Sequence, residues 1–151
     1  MVGNQEKNKF IKNYLFGMKE NCSQMKSLFR ITDDGFTYSG SHNGYKRIDK
    51  GLIHKRNIEY SKSKSSIKIV DSFEDSVLQK NLYLITKKNI FEEIKNNQIF
   101  LDGVKIKFRN LISIKKKDFP SYEAYGIKKN DSVQLCISFN KSLETFISLP
   151  K

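Results

Sequence analysis

Residues 99–109 read IFLDGVKIKFR. The pair Asp102-Gly103 divides two apolar runs. That is the strongest short-range signal for a β-hairpin, because both turn positions need positive φ. Beyond the turn, Val104, Ile106 and Phe108 alternate with Lys105, Lys107 and Arg109, the period of a strand with one buried face. Similar patterns recur in both directions. Residues 111–117 continue as strand. Further on, Val133, Leu135, Ile137 and Phe139 point to an inner face and Ser132, Gln134, Cys136 and Ser138 to an outer one. Asn140 to Ser142 forms a turn, and 143–149 closes the chain.

Toward the N-terminus, residues 82–86 (LYLIT) and 66–73 (SIKIVDSF) read as strands, with Ile67 and Ile69 on one face. Residues 52–61 carry Ile58 and Tyr60 on one face and Lys55, Asn57 and Glu59 on the other. The polar turn SKSKSS (61–66) joins these last two strands as a hairpin. Asp33-Asp34-Gly35 is another turn. It favours strand over helix for 22–32, which aligns Met25, Ser27, Phe29 and Ile31. Residues 89–95 have helical spacing but sit among strands and are read as a strand edge. Residues 10–18 (FIKNYLFGM) are strand or a short helix.

About ten or more short strands, with no long helix, predict an all-β fold: one antiparallel β-sandwich domain spanning 1–151. A chain of 151 residues is long enough for a core without staples.

The net charge is +12, and 24 of the 28 basic residues are lysine. Such a surface attracts polyanions, although biased codon usage produces the same composition. Cys22 and Cys136 stand alone in sequence, and the residues leave open whether they pair. The N-terminal MVGNQEKNKF lacks the apolar stretch of a signal peptide, and no apolar run reaches a membrane span. The expectation is a soluble protein with no membrane partner. Aromatics are not interleaved with arginine, which argues against a nucleic-acid platform.

Both histidines fall in residues 35–56, GFTYSGSHNGYKRIDKGLIHKR. His42 lies between Gly40 and Gly44 in a loop that could expose it for acid, base or ligand chemistry; it could equally be an idle surface histidine. Tyr45, near Lys46 and Arg47, is a candidate for proton transfer or a packed strand aromatic. His54 and Arg56 share a strand face and could bind a carboxylate, or bond to neighbouring loops. Two histidines without a cysteine cluster do not make a self-contained zinc site, so no metal ligand is assigned and no cofactor is indicated.

The order of these signals resembles the C-terminal β domain of the heparinase II/III-like polysaccharide lyases. The matching pieces are VGNQ (2–5), YLFG (14–17), GSHNGY (40–45), IHKR (53–56), IVD (69–71) and SYEAYGIK (121–128). The resemblance implies an α/α toroid beside the β domain, in the same protein or a separate chain. It implies β-elimination of an acidic, uronate-containing polysaccharide in the cleft between the two. His42 and Tyr45 are then the expected acid–base groups. Asn43, Arg47, His54 and Arg56 are expected to bind the substrate's carboxylate. Full-length relatives are cytoplasmic or periplasmic. The toroid and a histidine-bearing strand upstream of VGNQ are not in this sequence, and residues 79–84 read QKNLYL where relatives often carry histidine. The chain alone is therefore expected to be inactive. The alternative is a non-enzymatic, basic polyanion-binding module.

Overall fold

The computed structural model describes residues 2, 9–10, 18–19, 23–46, 48, 52–74, 77–124 and 127–150, with the backbone alone at 9–10, 18–19, 121–124 and 127–128. Eleven strands are present among them: β1 (Lys9–Phe10), β2 (Met18–Lys19), β3 (Gln24–Thr32), β4 (Gly35–His42), β5 (His54–Ser61), β6 (Ser66–Phe73), β7 (Lys80–Lys87), β8 (Phe91–Lys95), β9 (Gln98–Leu101), β10 (Val104–Ala124) and β11 (Ile127–Ser148). The helical element described is one 3-10 turn, Lys88–Ile90. The all-β expectation holds. Most of residues 10–18 lies outside the described residues.

Nine strands form one antiparallel sheet in the order β3-β4-β5-β6-β11-β10-β9-β8, with β7 also on β11. Strand β11 organises it. Its C-terminal half pairs with β6, from Ser142↔Ser72 to Ser148↔Ser66. Its N-terminal half pairs with β7, from Ser132↔Lys87 to Phe139↔Lys80. Strand β10 runs along both halves.

Two corrections follow from β10 and β11. They are long, 21 and 22 residues, not short strands, and β11 is not broken at 140. The expected turn at Asn140 to Ser142 is a bulge inside β11. The register passes from Arg109↔Glu144 to Leu111↔Phe139, while Asn110 takes φ 62°. Extra residues on one strand of a pair bend the ribbon without ending it.

The Asp102-Gly103 hairpin forms as expected, with φ 44° and 74°, and joins β9 to β10. At the other end of the sheet, Asp34 ties two turns together. Its carboxylate accepts from the Ser61 hydroxyl (2.5 Å), the Ser63 N–H (2.7 Å) and the Ser63 hydroxyl (2.9 Å).

The core cluster contains Phe73, Ile99, Ile106, Phe108, Leu135, Ile137, Phe139 and Leu143, with Val2 and Leu52. The inner sides of β10 and of β11's N-terminal half are those the alternation indicates. The outer side of β11 is not: Ser132, Gln134 and Ser138 are buried too. Strands β3 to β5 extend beyond this core, and every residue of β3 is exposed. The sheet face that is core at β6 is therefore only half covered at β4 and β5.

Candidate functional site

Strand β4 continues through His42, so Gly40 to His42 is strand and not loop. His42 pairs directly with His54 across β4 and β5, and His54 with Phe73 across β5 and β6. One row further in, Gly40 pairs with Arg56 and Arg56 with Asp71. Directly opposed residues share a face, so the strand period alone gathers two histidines, an arginine and an aspartate.

The cluster is hydrogen-bonded end to end. The Gly44 N–H donates to His42 Nδ1 (3.1 Å). His42 Nε2 lies 2.9 Å from His54 Nδ1, and His54 Nε2 lies 2.6 Å from Asp71 Oδ1. Arg56 grips the same carboxylate in a fork, Nε to Oδ1 at 2.7 Å and Nη2 to Oδ2 at 3.0 Å. A neutral imidazole has one donor and one acceptor nitrogen. With Gly44 donating to Nδ1, His42 carries its proton on Nε2 and donates to His54. His54 then donates from Nε2 to Asp71.

The Asp71 side chain is 5% exposed, and a buried carboxylate needs partners. Burial pushes its pKa up. The hydrogen bonds from His54 and Arg56, with the Arg56 charge, outweigh this and hold it below the usual range. The bond to Asp71 in turn raises Arg56 above its ordinary value, against the effect of burial.

Rings pack around the polar chain. His54 stacks on Phe73, centroids 4.5 Å apart at 11°. Tyr45 lies 5.7 Å from His42 and 5.8 Å from Phe73. The Tyr45 and Tyr38 phenols are within electrostatic range of the Arg56 guanidinium. Two pockets flank His54 and Arg56. One, of about 320 Å³, is bordered by Gln24, Tyr38, Gly40 and His42. The other, of about 150 Å³, is bordered by Tyr45, Asp71, Asn81 and Tyr83.

Of the residues expected from sequence, His42, Tyr45, His54 and Arg56 come together. Asn43 reaches Ser23, the residue before β3, instead: its Oδ1 accepts from the Ser23 N–H (2.8 Å) and its N–H donates to the Ser23 carbonyl (3.3 Å). Arg47 and Cys22 lie outside the described residues. Cys136 carries a free thiol close to Tyr83. Burial first, then this thiol, raise the Tyr83 pKa. Sequence reasoning missed Asp71, Asn81 and Tyr83. Asp71 was findable, since the period of two puts it on the inner face with Ile67 and Ile69, where a carboxylate needs donors. Among the described residues, no group of three or more His, Cys, Asp or Glu is arranged to hold a metal ion, and no helix is long and apolar enough to cross a membrane.

The sequence profile of the family "Heparinase II/III-like, C-terminal" matches residues 2–148. Two solved structures of a heparinase III gene product share the fold. The first superimposes with a TM-score of 0.62 at 17% identity, over 84% of this chain and 21% of that one. The second, with methylated lysines, gives 0.51 at 14% identity, over 82% and 21%. The chain thus spans about a fifth of the length of the heparinase III it matches. No curated protein sequence matches it.

Proposed function

The chain belongs to the heparinase II/III-like C-terminal family, and on that basis we propose that it is the β domain of a polysaccharide lyase acting on a uronic-acid polysaccharide. The observation that carries this reading is the fork of Arg56 on Asp71, beside His54, His42 and Tyr45. The fork fixes the guanidinium, whose remaining N–H groups have no hydrogen bond among the described residues. A planar, immobilised guanidinium suits a carboxylate ligand. Arg56 binds the uronate carboxylate, which makes the proton on the adjacent C5 easier to remove, while His54 helps hold Asp71 in place beneath it.

In β-elimination a base takes that C5 proton. The electron pair left on C5 forms the C4–C5 double bond, the C4–O bond breaks, and the departing oxygen is protonated. Tyr45, whose ring packs against both His42 and His54, is the proton-transfer group of this reading. His42 orients the cluster at rest and joins proton transfer by releasing the Gly44 N–H. The remaining groups come from an α/α toroid, in the same protein or a separate chain, and without it the chain binds but does not cleave.

Titration with a uronate disaccharide tests the reading. Arg56→Ala is expected to weaken binding about tenfold, on the scale of a hydrogen bond to a charged group. A disaccharide whose carboxyl is reduced to an alcohol is expected to bind as weakly to the unaltered protein. Binding indifferent to both changes would overturn it.

A further inference from the structure

The face that carries Arg56 and His54 does not end at them. Along β5 it continues through Ile58 to Tyr60, four residues and about 13 Å from Arg56. Across the strands, Tyr60 pairs with Phe36 and Phe36 with Ile31, while Tyr38 pairs with Phe29. Phe29, Phe36 and Tyr60 form a row over three strands, with centroids 5.4 and 5.5 Å apart and planes tilted by 32° and 40°. Phe29 is 57% exposed on the edge strand, and Ile31 beside it 82%. Exposed contiguous apolar surface marks an interaction site. Tyr38 links the row to the site. Its ring lies over Gly40, where an added Cβ would stand 2.2 Å from the phenol oxygen. It borders the same pocket as Arg56 and His42.

We propose that Phe29, Phe36 and Tyr60 are a stacking platform for successive sugar rings of the polysaccharide held at Arg56. This rests on the reading of the chain as a uronate-polysaccharide domain. The occupant follows from two observations. The ring spacing is comparable to one hexopyranose unit, so adjacent sugars fall on adjacent rings. The row is continuous with the carboxylate site on the same face, so one chain engages both. Each sugar presents an apolar C–H face to a ring, as aromatic-lined ligand sites do.

The test compares a disaccharide with a hexasaccharide of one uronate polysaccharide. Phe29→Ala, at an exposed edge position, and Tyr60→Ala are each expected to weaken hexasaccharide binding about five- to tenfold and leave the disaccharide within twofold. Phe29→Tyr is expected to keep hexasaccharide affinity. Circular dichroism establishes that the variants are folded, and Phe29→Ala carries the test alone if Tyr60→Ala unfolds. Unchanged hexasaccharide binding, with Arg56→Ala still weakening both ligands, refutes the platform and leaves the proposed function standing. Failure of the unaltered protein to bind either ligand removes both. Unchanged hexasaccharide binding with lost self-association in sedimentation makes the face a contact between copies and also overturns the platform.

Discussion

His42 Nε2 lies 2.9 Å from His54 Nδ1, and the backbone N–H of Gly44 decides which of them holds the proton. Because Gly44 donates to His42 Nδ1, His42 must donate to His54 and His54 to Asp71. Protonating His54 would place two N–H groups face to face unless His42 let go of Gly44. Nitrogen-15 NMR at neutral pH is therefore expected to show both imidazoles protonated at Nε2 and bare at Nδ1. An Nδ1–H signal from His42 would contradict this arrangement.

Asp71 gives the fold a defined acid response. Its carboxyl titrates below the ordinary aspartate value in the folded protein. The stabilisation is present above the unfolded value and is lost as pH falls through the folded one. Stability should decline on acidification below about pH 4. Asp34 has the same sign, lowered by the Ser61 hydroxyl first and Ser63 next. Asp71→Asn is expected to cost about 1–3 kcal/mol at neutral pH, because it leaves Arg56 unpaired, though that group is half in water. The variant should also flatten the acid dependence in part. Urea unfolding of both proteins at neutral and acid pH reads each effect.

Three glycines separate backbone need from side-chain accommodation. A Cβ at Gly35 would lie 2.1 Å from the Tyr60 carbonyl oxygen, a backbone atom that cannot swing away. Gly35→Ala is expected to cost about 3 kcal/mol. Gly103 has open space but φ 74°, so Gly103→Ala costs about 1–2 kcal/mol. At Gly40 the nearest atoms to an added Cβ are the hydroxyl and ring edge of Tyr38, a side chain that can swing away. Gly40→Ala should leave the unfolding midpoint near that of the unaltered protein while weakening hexasaccharide binding, because Tyr38 must leave its place beside Arg56.

Salt separates the lyase-domain reading from a general polyanion binder. Lys115, Lys116 and Lys117 are exposed on β10, with the Lys116 ammonium 4.2 Å from the Phe91 ring centre. Held only by lysine charge, a polyanion would be lost steeply with salt and on substitution of those lysines. The site at Arg56 predicts instead that replacing all three by Gln leaves disaccharide affinity within twofold, measured at two salt concentrations.

The strand alternation around Asp102-Gly103 and in 52–73 was readable because one face of each strand is wet and the other covered, which imprints a period of two. The passage of β11 through 140–142 was not, since Asn140-Lys141-Ser142 has the composition of a turn and a bulge leaves little other trace in sequence. Ser132, Gln134 and Ser138 look like a solvent face in sequence, yet they are buried through contacts distant in the chain. His42, Tyr45, His54 and Arg56 were visible as residue types near one another in sequence. Asp71, which holds two of them, sits 15 and 17 residues away and needed the β5–β6 register.

The most direct measurement incubates the purified chain with uronate polysaccharides and follows the absorbance of unsaturated uronate, with and without the toroid domain of a relative. The account predicts product only when the toroid is present, and its loss in Arg56→Ala and Tyr45→Phe. Rapid product from the chain alone, or none with a toroid shown to associate with it, would contradict the account.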